Sequence, residues 1–158
     1  MYENHWSVKF KTAALNLLSV VLQGFLKVLN DILKFKEVNM RVVNVGEVEK
    51  ESFSGALFTG SDVTRQILLP DSQEYNFNVV NFGKGVRNKF HAHDHEQILI
   101  VTAGKGIIAT ETEQQEITAG DIVIIPANEK HWHGATEDSE FSHIYIHRLE
   151  TQLTQLEE

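Results

Sequence analysis

The chain has 158 residues, a formal net charge of −8 at neutral pH and no cysteine. That length carries one domain with a real core, and the acidic balance argues against nucleic acid or an anionic membrane as main partner. Without cysteine there are no disulfides, iron–sulfur clusters, thiolate zinc sites or cysteine nucleophiles, and the composition fits a cytoplasmic protein of bacterial style.

Residues 1–39 read differently from the rest. From Ala13 to Phe35 the apolar positions recur three and four apart, at Leu15, Leu18, Leu22, Phe25, Leu29 and Ile32, and Ala14, Val21 and Val28 widen that face. Asn16, Ser19, Gln23, Lys27, Asn30 and Lys34 form a narrow polar stripe opposite. This pattern predicts an amphipathic helix. Gln23, Lys27, Asn30 and Asp31 interrupt the run before it reaches about 20 apolar residues, so no membrane span is expected. Lys9 and Lys11 precede the apolar stretch, but no small-x-small cleavage site follows cleanly. Three roles stay open for this segment: a helix packed on its own domain or a partner subunit, a targeting or surface anchor, or an extension outside the functional protein. In the last case Met40 is the natural start. Few basic residues and no helix-turn-helix pattern mark it for DNA.

From Met40 the period changes to two. Val42 to Val45 predicts a short strand, and Glu47 to Ser54 a polar loop. Ala56 to Gly60 and Val63 to Leu69 are strand candidates, the second stopped by Pro70-Asp71. Tyr75 to Phe82 alternates and predicts a half-buried strand. His91-Ala92-His93 and Gln97 to Thr102 follow, with Ala103-Gly104-Lys105-Gly106 as a hairpin turn and Ile107 to Thr112 pairing back. Gln115 to Thr118 leads into a tight turn at Ala119-Gly120-Asp121. Ile122 to Pro126 is continuously apolar, as expected of a strand buried on both faces. His131 to Ala135 and Phe141 to Arg148 complete the set. Short strands separated by glycine turns predict an antiparallel barrel or sandwich over residues 40–149. Residues 150–158 read as a polar tail that frays.

Seven of the eight histidines lie between positions 91 and 147. Successive side chains of a strand point to opposite faces, so His91 and His93 share a face, and His131 and His133 share another. The turn-like Asp94-His95-Glu96 can bring Gln97 back beside the first pair. Buried imidazoles need partners, whereas neutral imidazole is a natural ligand for a divalent metal. His91, His93, Gln97 and His131 can therefore converge on a metal ion. His95, in the turn, reads as rim or surface. Trp132 points away from His131, toward core or interface, and His147 is unassigned.

Gly85, His91, His93, Gln97 and Gly104 resemble the first motif of the cupins, with glutamine where glutamate is usual. Gly120, Pro126, Asn128, His131 and Ala135 resemble the second, with Asn128 for the turn glycine and Ala135 for an asparagine. Asparagine tolerates the left-handed backbone that such a glycine supplies. The resemblance spans roughly residues 55–149. It implies a cupin jelly-roll barrel, all β, preceded by the N-terminal helix. It also implies the ligands His91, His93, Gln97 and His131. An amide in place of a carboxylate leaves the ion its full charge and makes it a stronger Lewis acid.

The strings Gln97 to Gly104 and Glu129 to Ala135, with His91-Ala92-His93, Phe58-Thr59-Gly60 and Ser142-His143, are most similar to small bacterial cupins with hydroxynitrile lyase activity. The implied reaction is reversible cleavage of a cyanohydrin to an aldehyde and cyanide. One divalent transition metal per chain is implied, manganese first, with iron, nickel or zinc as alternatives. His133 and His143 would be the base and the cyanide-side acid, or else hydrogen-bond partners of the ligands. An Fe(II)-dependent dioxygenase and a non-enzymatic small-ligand-binding cupin are the competing readings. The resemblance further implies a homo-oligomer, dimer or tetramer.

Overall fold

The structure, a computed structural model, describes residues 19–27 and 40–158. The chain divides into two units, Met1–Val42 and Val43–Glu158. In the first, residues 19–27 are helical; the rest of the helix expected between Ala13 and Phe35 lies outside the described residues. Among the described residues no helix is long and apolar enough to cross a membrane.

The second unit is built of strands. They are β1 (Glu51–Ser52), β2 (Val63–Ile67), β3 (Tyr75–Phe82), β4 (His91–His93), β5 (Gln97–Ala109), β6 (Gln114–Thr118), β7 (Ile122–Ile125), β8 (Trp132–Ala135), β9 (Phe141–Arg148) and β10 (Leu153–Gln155). All pairings are antiparallel. One layer runs β1-β2-β3-β9 to the first half of β5, which also pairs with β7. The second half of β5 pairs with β6 on one side and β8 on the other. Beyond β8 the layer continues through the bridges Arg87↔Gly134 and His91↔His131 to β4, and then to β10. The two layers close over a core of Val63, Val80, Phe82, Val101, Ile117, Ala135 and Phe141. This is an all-β jelly-roll barrel, as the strand pattern and the cupin-like motifs predict.

The expected hairpin at Ala103–Gly106 does not form. β5 instead runs unbroken from Gln97 to Ala109, and its register against β9 shifts between Val101 and Ala103. A bulge of this kind bends a strand so that it can serve two sheets. The glycines serve the bend rather than a reversal. Gly104 has φ +73°, and a Cβ on Gly106 would sit 2.5 Å from the Phe141 ring. The strand expected at Val42 to Val45 is also absent. Val45–Glu47 is a 3-10 turn capped by Asn44, whose side chain accepts from the Gly46 amide at 3.0 Å. Such local side-chain bonding competes with a strand ladder. Ala56 to Gly60 is likewise loop, tied to the barrel by the bridge Phe58↔Asn88.

Two further expectations change. Ile122 to Ile125 is not buried on both faces: Ile122 and Ile124 are each 63% exposed, while Ile125 faces inward. β7 borders only β5, so among the described residues its other edge is free. The C-terminal residues do not fray. Leu153, Thr154 and Gln155 pair with His93, Ala92 and His91.

Candidate metal centre

The histidine strand β4 is short, and it is held from both sides. His91 and His131 exchange backbone hydrogen bonds, at 2.9 and 3.0 Å, and the Asn128 amide donates to the His93 carbonyl at 2.7 Å. Asn128 has φ 66°, the left-handed conformation expected where the motif carries a glycine. That turn brings His131 beside His91, with ring centroids 4.3 Å apart. Gln97 opens β5 and is buried against the same cluster. His133 follows on β8, and His143 projects inward from β9, paired across the sheet with Val101 and Val80.

The six residues selected from the sequence, His91, His93, Gln97, His131, His133 and His143, are all buried. One ring nitrogen from each of His91, His131 and His133 lies within 4.8 Å of the others, so this buried group could hold a metal ion. His93 adjoins it, its ring centroid 5.1 Å from that of His91 and 5.8 Å from that of His131. His133 and His143 stack edge to face at 4.8 Å. His95 is outside the cluster, bonded to Asp94 at 2.9 Å. Trp132 lies away from it, under the Arg87 guanidinium at 4.8 Å. His147, unassigned from sequence, stacks between His93 and Tyr145, at 5.5 and 5.1 Å.

The hydrogen bonds orient these rings. A carbonyl oxygen can only accept, so Nδ1–H of His91 donates to Lys89 and Nδ1–H of His131 donates to Glu129, each at 2.8 Å. Both Nε2 atoms therefore carry lone pairs toward the cluster. The Nε2 of His131 faces Oε1 of Gln97 at 3.2 Å; a cation between them, or a rotated Gln97 amide donating N–H, satisfies two atoms so placed. Neither ring nitrogen of His93 has a hydrogen-bond partner, although both are buried. Buried polar atoms are rarely left without a partner, and a bound ion or water supplies one. This donor set, imidazoles plus an amide oxygen, fits a divalent transition metal.

Asn88 was not singled out by the sequence. Its Oδ1 accepts from the His133 amide at 2.7 Å, which directs Nδ2 toward the His133 ring, 3.1 Å from Nε2. The ring nitrogens of His143 make no hydrogen bond. Phe82 and Phe141 pack against His143, at 5.8 and 5.3 Å between ring centroids. No spacing pattern marks Asn88, because its role depends on β8 lying alongside. A cavity of about 100 Å³ joins these groups. Its polar side is His91, His93, Gln97, His133, His143 and His147, and its apolar side includes Phe53, Leu57, Phe58, Phe82 and Leu153.

Burial lowers the pKa of every ring in the cluster. It takes His91 and His143 to about 4, and it lowers His131 as well. His93 falls to about 3, by burial and then by the neighbouring His91 and His131, and His133 is driven well below its ordinary value, by burial and then by His143. In the metal-free protein these rings stay neutral while the unfolded chain takes up protons below about pH 6.5. The unfolded state then binds more protons, so stability is fully present above pH 6.5 and is lost as pH falls toward 4. Urea midpoints of the metal-free protein are expected to fall steadily from pH 7 to 4.5. A flat profile would show that the rings are not held neutral.

Three comparisons bear on this geometry. The family model described as "Cupin domain" matches residues 78–147. The chain is 43% identical over 68 residues, 42% of its length, to the (R)-mandelonitrile lyase of Granulicella tundricola, and it spans about half (52%) of that relative. Among solved structures it superposes on a cupin-like protein from Thermotoga maritima with a TM-score of 0.65 and 34% identity, covering 70% of this chain and 88% of that one. The polyketide cyclase RemF from Streptomyces resistomycificus aligns at a TM-score of 0.64 and 16% identity, over 76% of this chain and 89% of that one, which shows the shared fold alone.

Proposed function

The chain belongs to the cupin family, and from that premise we propose that it is a metal-dependent lyase that cleaves small cyanohydrins to an aldehyde and cyanide. The observation that carries this reading is the buried, neutral pair His133 and His143, set 4.8 Å apart on the same cavity as the metal group. The similarity to (R)-mandelonitrile lyase supports it. The ligands in this reading are His91, His93, Gln97 and His131, and the ion is divalent, manganese first. When bound, the ion supplies Lewis acidity that makes a substrate hydroxyl easier to deprotonate.

The protein's own groups then handle the proton. The base in this reading is His143 rather than His133, whose Nε2 already faces Asn88: a ring nitrogen of His143, free of any hydrogen bond, takes the hydroxyl proton. The bond between the carbinol carbon and the nitrile carbon breaks, its electron pair leaves with cyanide, and the oxygen becomes the aldehyde carbonyl. His133, with its Nε2 facing the Asn88 amide, presents Nδ1–H to the departing cyanide. His143 then hands its proton to the cyanide carbon, giving hydrogen cyanide and regenerating the neutral ring. The apolar wall of Phe53, Leu57, Phe58 and Phe82 takes the substrate's hydrocarbon group and excludes water.

The test is reconstitution with manganese, iron, nickel or zinc, followed by cyanohydrin cleavage assays with and without oxygen. Turnover with manganese at the same rate in both atmospheres is expected. Turnover only in air points to the Fe(II) dioxygenase reading, and tight ligand retention without turnover to a binding protein. Uptake below about a tenth of an equivalent of every metal would sink both enzyme readings.

We also propose a homo-oligomer, a dimer or tetramer built through the outer face of β7, β5 and β9. Across these strands Ile122, Ile100 and Ile144 form one row, and Ile124, Ile98 and Ile146 the next. No charge interrupts either row, and the free edge of β7 beside them suits an isologous pairing with a second copy. Ile124→Lys is expected to shift the sedimentation coefficient to that of a monomer with the metal content unchanged. An unaltered oligomer would place the interface elsewhere, and a monomeric parent would refute the assembly.

A further inference from the structure

We propose that the C-terminal segment Gln152–Glu157 positions the His91–His93 strand, so that metal affinity depends on a tail carrying no ligand; this rests on the metal reading above. β4 has three residues and belongs to no larger strand ladder: it and β10 form a two-stranded sheet of their own. Its inner edge is set by the turn at Asn128 and by His131. The tail sets the outer edge, placing Leu153 opposite His93 and Gln155 opposite His91.

The pairing is fastened at both ends. At one, Asp94 and Gln152 bond reciprocally: the Asp94 amide donates to the Gln152 carbonyl at 3.2 Å, and the Gln152 amide donates to Asp94 Oδ1 at 2.8 Å. At the other, the Leu156 amide donates to the Phe90 carbonyl at 2.7 Å. Glu157 completes that end. Its carboxylate accepts from Arg87 through two bonds, at 3.0 and 2.8 Å, and from the Phe90 amide at 2.8 Å. Such a bidentate pair fixes geometry as well as adding attraction. Arg87 is itself oriented by the Asn88 carbonyl at 2.9 Å and by the face of Trp132. The latch therefore spans the residues from Arg87 to Asp94, which include both histidines of β4 and the Asn88 that holds His133. Leu153 reaches the cavity from the same segment, so release of the tail opens a wall of the site as it loosens the strand.

The experiment compares the full chain with Glu157→Gln and with a chain ending at Gln152. Two readouts are taken: amide hydrogen exchange of residues 88–96, with residues 141–148 as control, and manganese affinity by chelator competition. Groups that orient metal ligands change affinity about 10- to 100-fold when lost. The expected result is faster exchange in 88–96 alone and roughly tenfold weaker manganese binding in Glu157→Gln, with a larger loss in the shortened chain. If the shortened chain exchanges faster everywhere, its fold is lost and Glu157→Gln decides. Wild-type exchange in 88–96 in Glu157→Gln, or unchanged affinity in both variants, would overturn the proposal. A parent chain that binds none of manganese, iron, nickel or zinc overturns the dependence of affinity on the tail together with the metal reading, while faster exchange in 88–96 would still support positioning of the strand.

Discussion

His93→Ala, purified without chelator, is expected to carry less than about a tenth of an equivalent of metal, because the proposed ligand set then loses one of its four members. His133→Ala is expected to keep its metal. The pair of variants separates two arrangements that the cluster permits. His91, His131 and His133 each bring a ring nitrogen within 4.8 Å of the others, but the Nε2 of His133 is engaged with Asn88, whereas both nitrogens of His93 are buried without a partner. A metal satisfies His93 and leaves the Asn88 contact intact. Stability gives a second measurement. Metal at a hundred times its Kd adds about 2.7 kcal/mol to a protein that binds it only when folded, and His93→Ala should gain none of this. Without metal, removing the ring relieves two unpaired polar atoms but opens a cavity. Those effects oppose, so the two metal-free proteins should melt within a few degrees of each other. Loss of metal from His133→Ala and its retention by His93→Ala would assign the ligands to His91, His131 and His133.

His143→Ala should keep the metal and lose turnover by about 10²- to 10⁴-fold, the range typical of a missing acid–base group. His143 is fully buried, its ring lies against Phe82 and Phe141, and neither nitrogen serves another residue. It pairs with Val80 and Val101, in the middle of the barrel wall. A ring placed there without a hydrogen bond does little for the fold that an apolar side chain would not do. His143→Phe therefore serves as a second variant, filling the space while removing the proton carrier. Full activity in either variant would remove His143 from the mechanism. Loss of metal from both would instead make it part of the ligand set.

Much of this could be read without coordinates. Glycine, His-x-His, the Pro126 turn and His131 are local features, and strand alternation by itself puts His91 with His93 and His131 with His133. The left-handed turn at Asn128 followed from what an asparagine backbone tolerates. Gln97 was identified because motif spacing and one turn carry it back to the same place. Period-two segments separated by glycine turns gave an antiparallel barrel or sandwich, the cupin-like motifs selected the jelly-roll barrel, and Tyr75 to Phe82 forms the strand its alternation predicts.

The misreadings share a physical cause. Glycine in a strand can mark a reversal, a bulge or a close approach, and Gly104 and Gly106 mark the last two because Phe141 and the two-sheet path of β5 lie beside them. An apolar run such as Ile122 to Ile125 announces burial without saying whether the chain itself supplies the cover. Residues 150–158 are polar because they lie on the surface. Whether they fray or pair depends on an unfilled edge of β4, which is set by residues some sixty positions earlier. Sequence alone determined the fold class and which histidines gather in the barrel, since both rest on short-range pattern, motif spacing and side-chain type. Only the tertiary structure decided that Asn88 holds His133, that His147 stacks on His93, and that Glu157 latches the strand, since each depends on which distant segments meet.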